Sequence, residues 1–174
     1  MTDLRHNSGV TLVEMLVVLG IIMVLSGIVA TLTLRVDSQS KENALRNAFA
    51  LVGSSLHEYY DFKGQFPPQA ERIVWQTQWT PQQYDSYLAK VLAHVESMVQ
   101  ELGSVPASRQ VLDRVSSSLI KSEGGTADLR SLCDPWGTVI DYVYAPDDTF
   151  PELISAGPDK LFGTGDDISS KGMR

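Results

Sequence analysis

Cysteine is nearly absent. Cys133 stands alone in 174 residues, so no intrachain disulfide can form and no thiolate metal cluster can be built. A domain outside the cytoplasm would need another staple for any long loop. Histidine is almost as scarce: His6, His57 and His94 show no zinc-type spacing, and no nucleophile elbow or phosphate-cradling glycine loop accompanies them. An enzyme is therefore not expected. Positive charge is also short, with 14 Lys and Arg against 21 Asp and Glu, for a formal net charge of −7. The cations are scattered singly, and no basic face is present to displace the counterions of a nucleic acid, so no nucleic-acid partner is expected.

Proline is missing from Met1 through Phe66, so nothing interrupts a helix over that span. Charge is missing from Met15 through Leu34. That run of about 20 residues, at ~1.5 Å per residue, is long enough to cross a bilayer core. An ordinary secretory signal has an apolar stretch of ~7–15 residues with its small-residue cleavage site on the far side. Here the stretch is longer, no Ala-x-Ala closes it, and the small residue, Gly9, lies on the near side. Cleavage after Gly9 would remove the polar leader with Arg5 and His6 and leave the apolar helix in place. Arg5 also orients the leader toward the cytoplasm by the positive-inside tendency.

Glu14 interrupts this apolar region near its start. A carboxylate costs about 2.5–3.5 kcal/mol at a bilayer centre, less near the interface. One reading is that it snorkels to the headgroups. The other is that cleavage gives Val10 a free amine, and the amine of a neighbouring subunit pairs with Glu14 inside the membrane.

Beyond Arg35 the pattern turns amphipathic. Leu45, Ala48, Phe49, Val52, Leu56 and Tyr59 fall on one helical face, Gly64 suits a C-terminal cap, and Pro67-Pro68 forbid continuation. Thr80-Pro81-Gln82-Gln83 reads as a capping box with proline at the first helical position. Tyr84, Leu88, Val91, Leu92, Val95, Val99 and Leu102 then predict a second helix, ended by Gly103. Val111, Leu112, Val115 and Leu119 predict a third. Trp75 and Trp79 serve either as exposed contacts or as core anchors. Asp134-Pro135-Trp136-Gly137 predicts a tight turn, Thr138–Tyr144 a strand, and Glu152–Ser155 its antiparallel return. From Gly157 to Ile168, glycines let the chain fold back and bring Asp166 and Asp167 near Asp159. Such a loop is either a solvated acidic turn or a cation site, and an oxygen-only donor set selects Ca²⁺ over Zn²⁺.

Gly9-Val10-Thr11-Leu12-Val13-Glu14-Met15-Leu16-Val17-Val18-Leu19 resembles the class III signal of type IV pilins and type II secretion pseudopilins. Asp61–Pro68, Asp134–Gly137, Ser155–Asp159 and Phe162–Ile168 resemble the major, G-type pseudopilin of type II secretion. The resemblance covers roughly residues 1–68 and 134–170, and the insert between them is longer than the family usually carries. It implies an α+β pilin-like fold: a leader at 1–9, a transmembrane and filament-core helix at 10–34, its amphipathic continuation at 35–64, a loop and helical insert at 65–133, and a β-hairpin with a calcium-binding loop at 134–174. It further implies that a prepilin peptidase cuts after Gly9 and N-methylates Val10, which stands where the family usually has Phe. Glu14 would serve assembly, and Asp159, Asp166 and Asp167 would ligate a structural Ca²⁺.

The implied protein is a single-pass subunit of the bacterial inner membrane, with a cytoplasmic N-terminus and a periplasmic head. Its partners would be further copies in a helical filament, minor pseudopilins, the inner-membrane assembly platform and its secretion ATPase, and the filament would drive protein export. A type IV pilus or competence minor pilin and a non-assembling, signal-anchored calcium-binding domain are the alternatives. Replacing Gly9 with a large residue is expected to leave the precursor uncut. A normal mobility shift on gels would count against this cleavage site.

Overall fold

The computed structural model describes residues 11–69, 80–122, 130–145 and 147–173, with backbone alone at 27–36, Ser122 and Met173. Gly9 and Val10, Trp75 and Trp79 lie outside the described residues. The chain divides into two compact units, Met1–Ser40 and Lys41–Arg174, and helix α1 (Leu12–Lys63) contributes residues to both.

In the first unit α1 starts behind Thr11. The Oγ1 of Thr11 accepts the N–H of Glu14 (3.2 Å), and its carbonyl accepts the N–H of Met15 (3.2 Å). This is an N-cap, and Thr11-x-x-Glu14 has the residue types of a capping box. The Glu14 carboxylate also lies in the first turn, where the positive end of the helix dipole favours an anion. The apolar side chains from Leu12 to Leu25 are exposed, Leu12 at 80% and Met23 at 74%.

In the second unit the α1 stripe becomes the spine of the core. Leu45, Ala48, Phe49, Val52, Leu56 and Tyr59 are all buried. The helix ends at Lys63, and Gly64 follows at φ +74° with its N–H donating to the Tyr60 carbonyl (2.7 Å), a left-handed cap that suits glycine. Helix α2 (Pro81–Ser104) begins at the reciprocal Thr80–Gln83 capping box and buries Val91, Val95, Met98, Val99 and Leu102. Helix α3 (Pro106–Leu112) meets α1 through two fully buried serines: the Ser55 hydroxyl lies 2.9 Å from the Ser108 carbonyl and 2.8 Å from its hydroxyl. Tyr59 donates to Glu101 Oε2 (2.7 Å), and its phenol is pushed up to about 12, chiefly by burial.

Two small antiparallel sheets complete an α+β fold. Strands β1 (Ile120–Ser122) and β2 (Arg130–Leu132) form a two-stranded sheet. Strands β3 (Asp141–Val143), β4 (Glu152–Ser155) and β5 (Ile168–Ser169) form the other, in that order. Leu132, Ile140, Tyr142 and Leu153 join the α1 stripe and the apolar face of α2 in one core cluster. Tyr142 also donates to the Pro67 carbonyl (2.8 Å).

Three elements differ from the sequence expectation. The strand predicted at Thr138–Tyr144 shortens to β3, because its first residues turn to a different partner: the Thr138 N–H goes to Asp134 Oδ1 (2.9 Å), Val139 forms a single antiparallel bridge with Cys133, and the Ile140 N–H goes to the Leu132 carbonyl (2.9 Å). The third helix ends at Leu112, and Val115 and Leu119 are buried from a turn and a short 3-10 segment instead. The β1–β2 pair lies within a stretch read as loop and helix.

Candidate functional site

The predicted site residues fall in two places. At the N-terminal end, Gly9 and Val10 lie outside the described residues, and Glu14 is exposed at the third position of α1. Thr11 adds the N-cap that places Glu14 in the first turn, a role for which Thr-x-x-Glu before an apolar run is a recognisable start signal.

At the C-terminal end the loop between β4 and β5 does bring Asp159, Asp166 and Asp167 together. Asp166 Oδ2 accepts the N–H of Asp159 (3.0 Å), and Asp166 Oδ1 accepts the Thr164 hydroxyl. Asp159 Oδ1 accepts the N–H of Leu161 (2.8 Å), and Asp167 Oδ2 accepts that of Gly163 (2.7 Å). Each acid therefore caps backbone of its own loop. The close return depends on Gly157, at φ +67°, where a Cβ would stand 2.2 Å from the Asp166 carbonyl oxygen. No L-side chain fits there.

The carboxylates feel these surroundings differently. The Thr164 hydroxyl and the Asp159 N–H pull Asp166 below the usual carboxylate range. Asp167 is pushed up, first by burial and then by the charges of Asp159 and Asp166, with the Gly163 N–H opposing. Asp167 Oδ1 is buried without a hydrogen-bond partner. The donors are all oxygen, the type a calcium ion takes. As they stand, no three His, Cys, Asp or Glu side chains among the described residues form a group able to hold a metal ion.

Two further groups secure this region. Buried Asp134 links three segments: its Oδ2 accepts the Ser155 hydroxyl (2.7 Å), which accepts the N–H of Gly157 (3.1 Å) at the start of the loop. Asp141 on β3 is 2% exposed and accepts the Tyr87 hydroxyl from α2 at 2.9 Å, while its Oδ1 has no partner. Burial pushes Asp141 up to about 6. The Tyr87 hydroxyl and Tyr142 N–H oppose that shift, and the Glu152 charge adds to it.

Residues 4–30 match the family model described as the prokaryotic N-terminal methylation motif. The chain carries the signature of type IV pilin-like, prepilin-type proteins. No curated protein and no solved structure matches it. The α+β fold with its long N-terminal helix is consistent with a pilin-like protein. The motif is that of a membrane-anchored, prepilin-type protein, and it overlaps the charge-free run from Met15. Among the described residues no helix is long and apolar enough to cross a membrane.

The Asp141 shift has a defined sign. Its folded value lies above the usual carboxylate value, so the folded state binds the proton more tightly, and the group's contribution declines as pH rises from about 4 to about 6. Asp141→Asn removes that titration. The stability of wild type relative to Asp141→Asn is expected to fall by about 1–3 kcal/mol across this window in denaturant titrations. A pH-independent difference would show that Asp141 does not titrate there.

Proposed function

We propose that this chain is a structural pseudopilin subunit rather than an enzyme. A prepilin peptidase cuts after Gly9 and methylates the amine of Val10. The apolar part of α1 then holds the subunit in the bacterial inner membrane, N-terminus in the cytoplasm and second unit in the periplasm. An inner-membrane assembly platform and its secretion ATPase draw copies, with minor pseudopilins, into a helical periplasmic filament of the type II secretion kind that drives protein export.

The observation that carries this reading is the methylation motif over residues 4–30, within which α1 begins and its apolar side chains from Leu12 to Leu25 are uncovered. Shielding one such side chain from water is worth about 1.5–3 kcal/mol. A whole apolar run left in water is unfavourable on that scale, so lipid or other copies cover it. Glu14 fits this arrangement in a specific way. Its carboxylate is well placed at the helix start, but becomes costly once lipid or packed helices exclude water, and the Val10 amine of a neighbouring copy removes that cost. Glu14→Val is expected to leave membrane insertion and cleavage intact while abolishing filaments, as read by cross-linking and sedimentation. Unchanged filament yield would contradict the pairing role.

The same reading gives the C-terminal loop a structural calcium ion, held by Asp159, Asp166 and Asp167. Two facts support it: the all-oxygen donor set and the buried, unpartnered Asp167 Oδ1. The ion would neutralise three like charges gathered in one loop. At about a hundredfold its Kd, calcium adds about 2.7 kcal/mol to folding. The full chain in detergent is therefore expected to melt several degrees higher in millimolar calcium than in chelator, and Asp166→Ala is expected to remove the difference. Equal melting temperatures for wild type would rule the ion out.

A further inference from the structure

The insert between the two stretches of family resemblance has so far had no role beyond packing. Its helix α2 begins beside the acidic loop. Tyr84, near the start of α2, places one hydroxyl across the loop's apex: it donates to the Lys160 carbonyl (3.3 Å) and accepts the N–H of Phe162 (3.1 Å). Lys160 is the one non-glycine residue at positive φ among the described residues, at +64°, so the backbone is held at its least favourable point. Tyr87, three residues later in α2, meets the Phe162 ring edge-on, with centroids 5.6 Å apart at 83°. Phe162 is 4% exposed, and it is buried with Tyr87, Val91 and Ala156 in a cluster separate from the main core.

The placement of α2 is itself fixed at both ends of this contact. Pro81 and the Thr80–Gln83 capping box set where the helix begins. The Tyr87 hydroxyl then ties it to Asp141 on β3. The apolar anchor of the loop and the hydrogen bonds at its apex therefore come from a helix that is also held elsewhere, through Val95, Met98, Val99 and Leu102 in the main core.

We propose that the insert is a clamp that shapes the C-terminal loop without a metal ion, with Tyr84 as the positioning residue. Calcium, where it binds, meets a loop already closed. The proposal stands apart from the calcium reading, because it concerns the loop in the absence of the ion.

Amide hydrogen exchange on the full chain in detergent, with calcium removed by EGTA, tests it. The N–H groups of Asp159, Leu161 and Gly163 are the probes, since their acceptors lie within the loop and are not touched by changes in α2. In wild type they are expected to be protected in EGTA. Tyr84→Phe is expected to reduce that protection at least tenfold while the amides of Val91 to Leu102 stay protected. Wild-type probes that exchange freely in EGTA would overturn the proposal, as would a Tyr84→Phe loop protected as in wild type. Loss of protection throughout the second unit in Tyr84→Phe would overturn it too, since the effect would then not be local to the loop. Calcium titration of the same samples reads the metal question separately.

Discussion

The buried stripe of α1 is the constraint on which the second unit depends. Leu45, Val52 and Leu56 are fully buried, and the faces of α2 and the three-stranded sheet meet the same cluster. Each such side chain contributes about 1.5–3 kcal/mol by leaving water, so the spacing of six residues on one helix decides where the remaining elements settle. The Ser55–Ser108 contact adds a condition of another kind. Two small hydroxyl residues, satisfied by each other, allow α3 close to α1 at a point where larger side chains would hold the helices apart.

The same helix carries the opposite condition in the first unit. Its apolar residues from Leu12 to Leu25 face outward, and no polar stripe interrupts them. An amphipathic helix finds its partner within the chain, whereas a helix apolar all round needs one from outside. The capped start at Thr11 and the carboxylate at Glu14 are the strongly polar features at the start of that surface among the described residues.

What the sequence made legible follows a simple rule: features with a period or a punctuating residue were readable. The Leu45–Tyr59 stripe, the Gly64 stop and the Thr80–Gln83 box each appear where spacing and residue type place them. The length of β3 was not readable, because the residues before it are drawn elsewhere, Thr138 to the Asp134 side chain and Val139 and Ile140 to Cys133 and Leu132. The convergence of Asp159, Asp166 and Asp167 could be inferred from the glycines around them. Their capping of loop N–H groups could not, nor could the contact between Tyr84 and Phe162. That pair is separated by 78 residues and carries no local pattern.

The single cysteine excludes a disulfide staple for this loop. A disulfide closing about 15 residues would be worth roughly 3 kcal/mol in the chain-entropy account. Burial of one Phe supplies about 1.5–3 kcal/mol, and each satisfied hydrogen bond about 0.5–1.5 kcal/mol. Phe162 against Tyr87, the two bonds of the Tyr84 hydroxyl, and the Asp134–Ser155–Gly157 chain are contributions of this kind, and all of them act on the same loop. The cost is borne by electrostatics, since the contacts that close the loop also hold three carboxylates near one another. Asp167 carries most of that strain, partly buried and facing two like charges, with one oxygen left without a partner. Closure by the insert and neutralisation by a cation thus act on different terms of the same loop: the first fixes its backbone, and the second would relieve its charge.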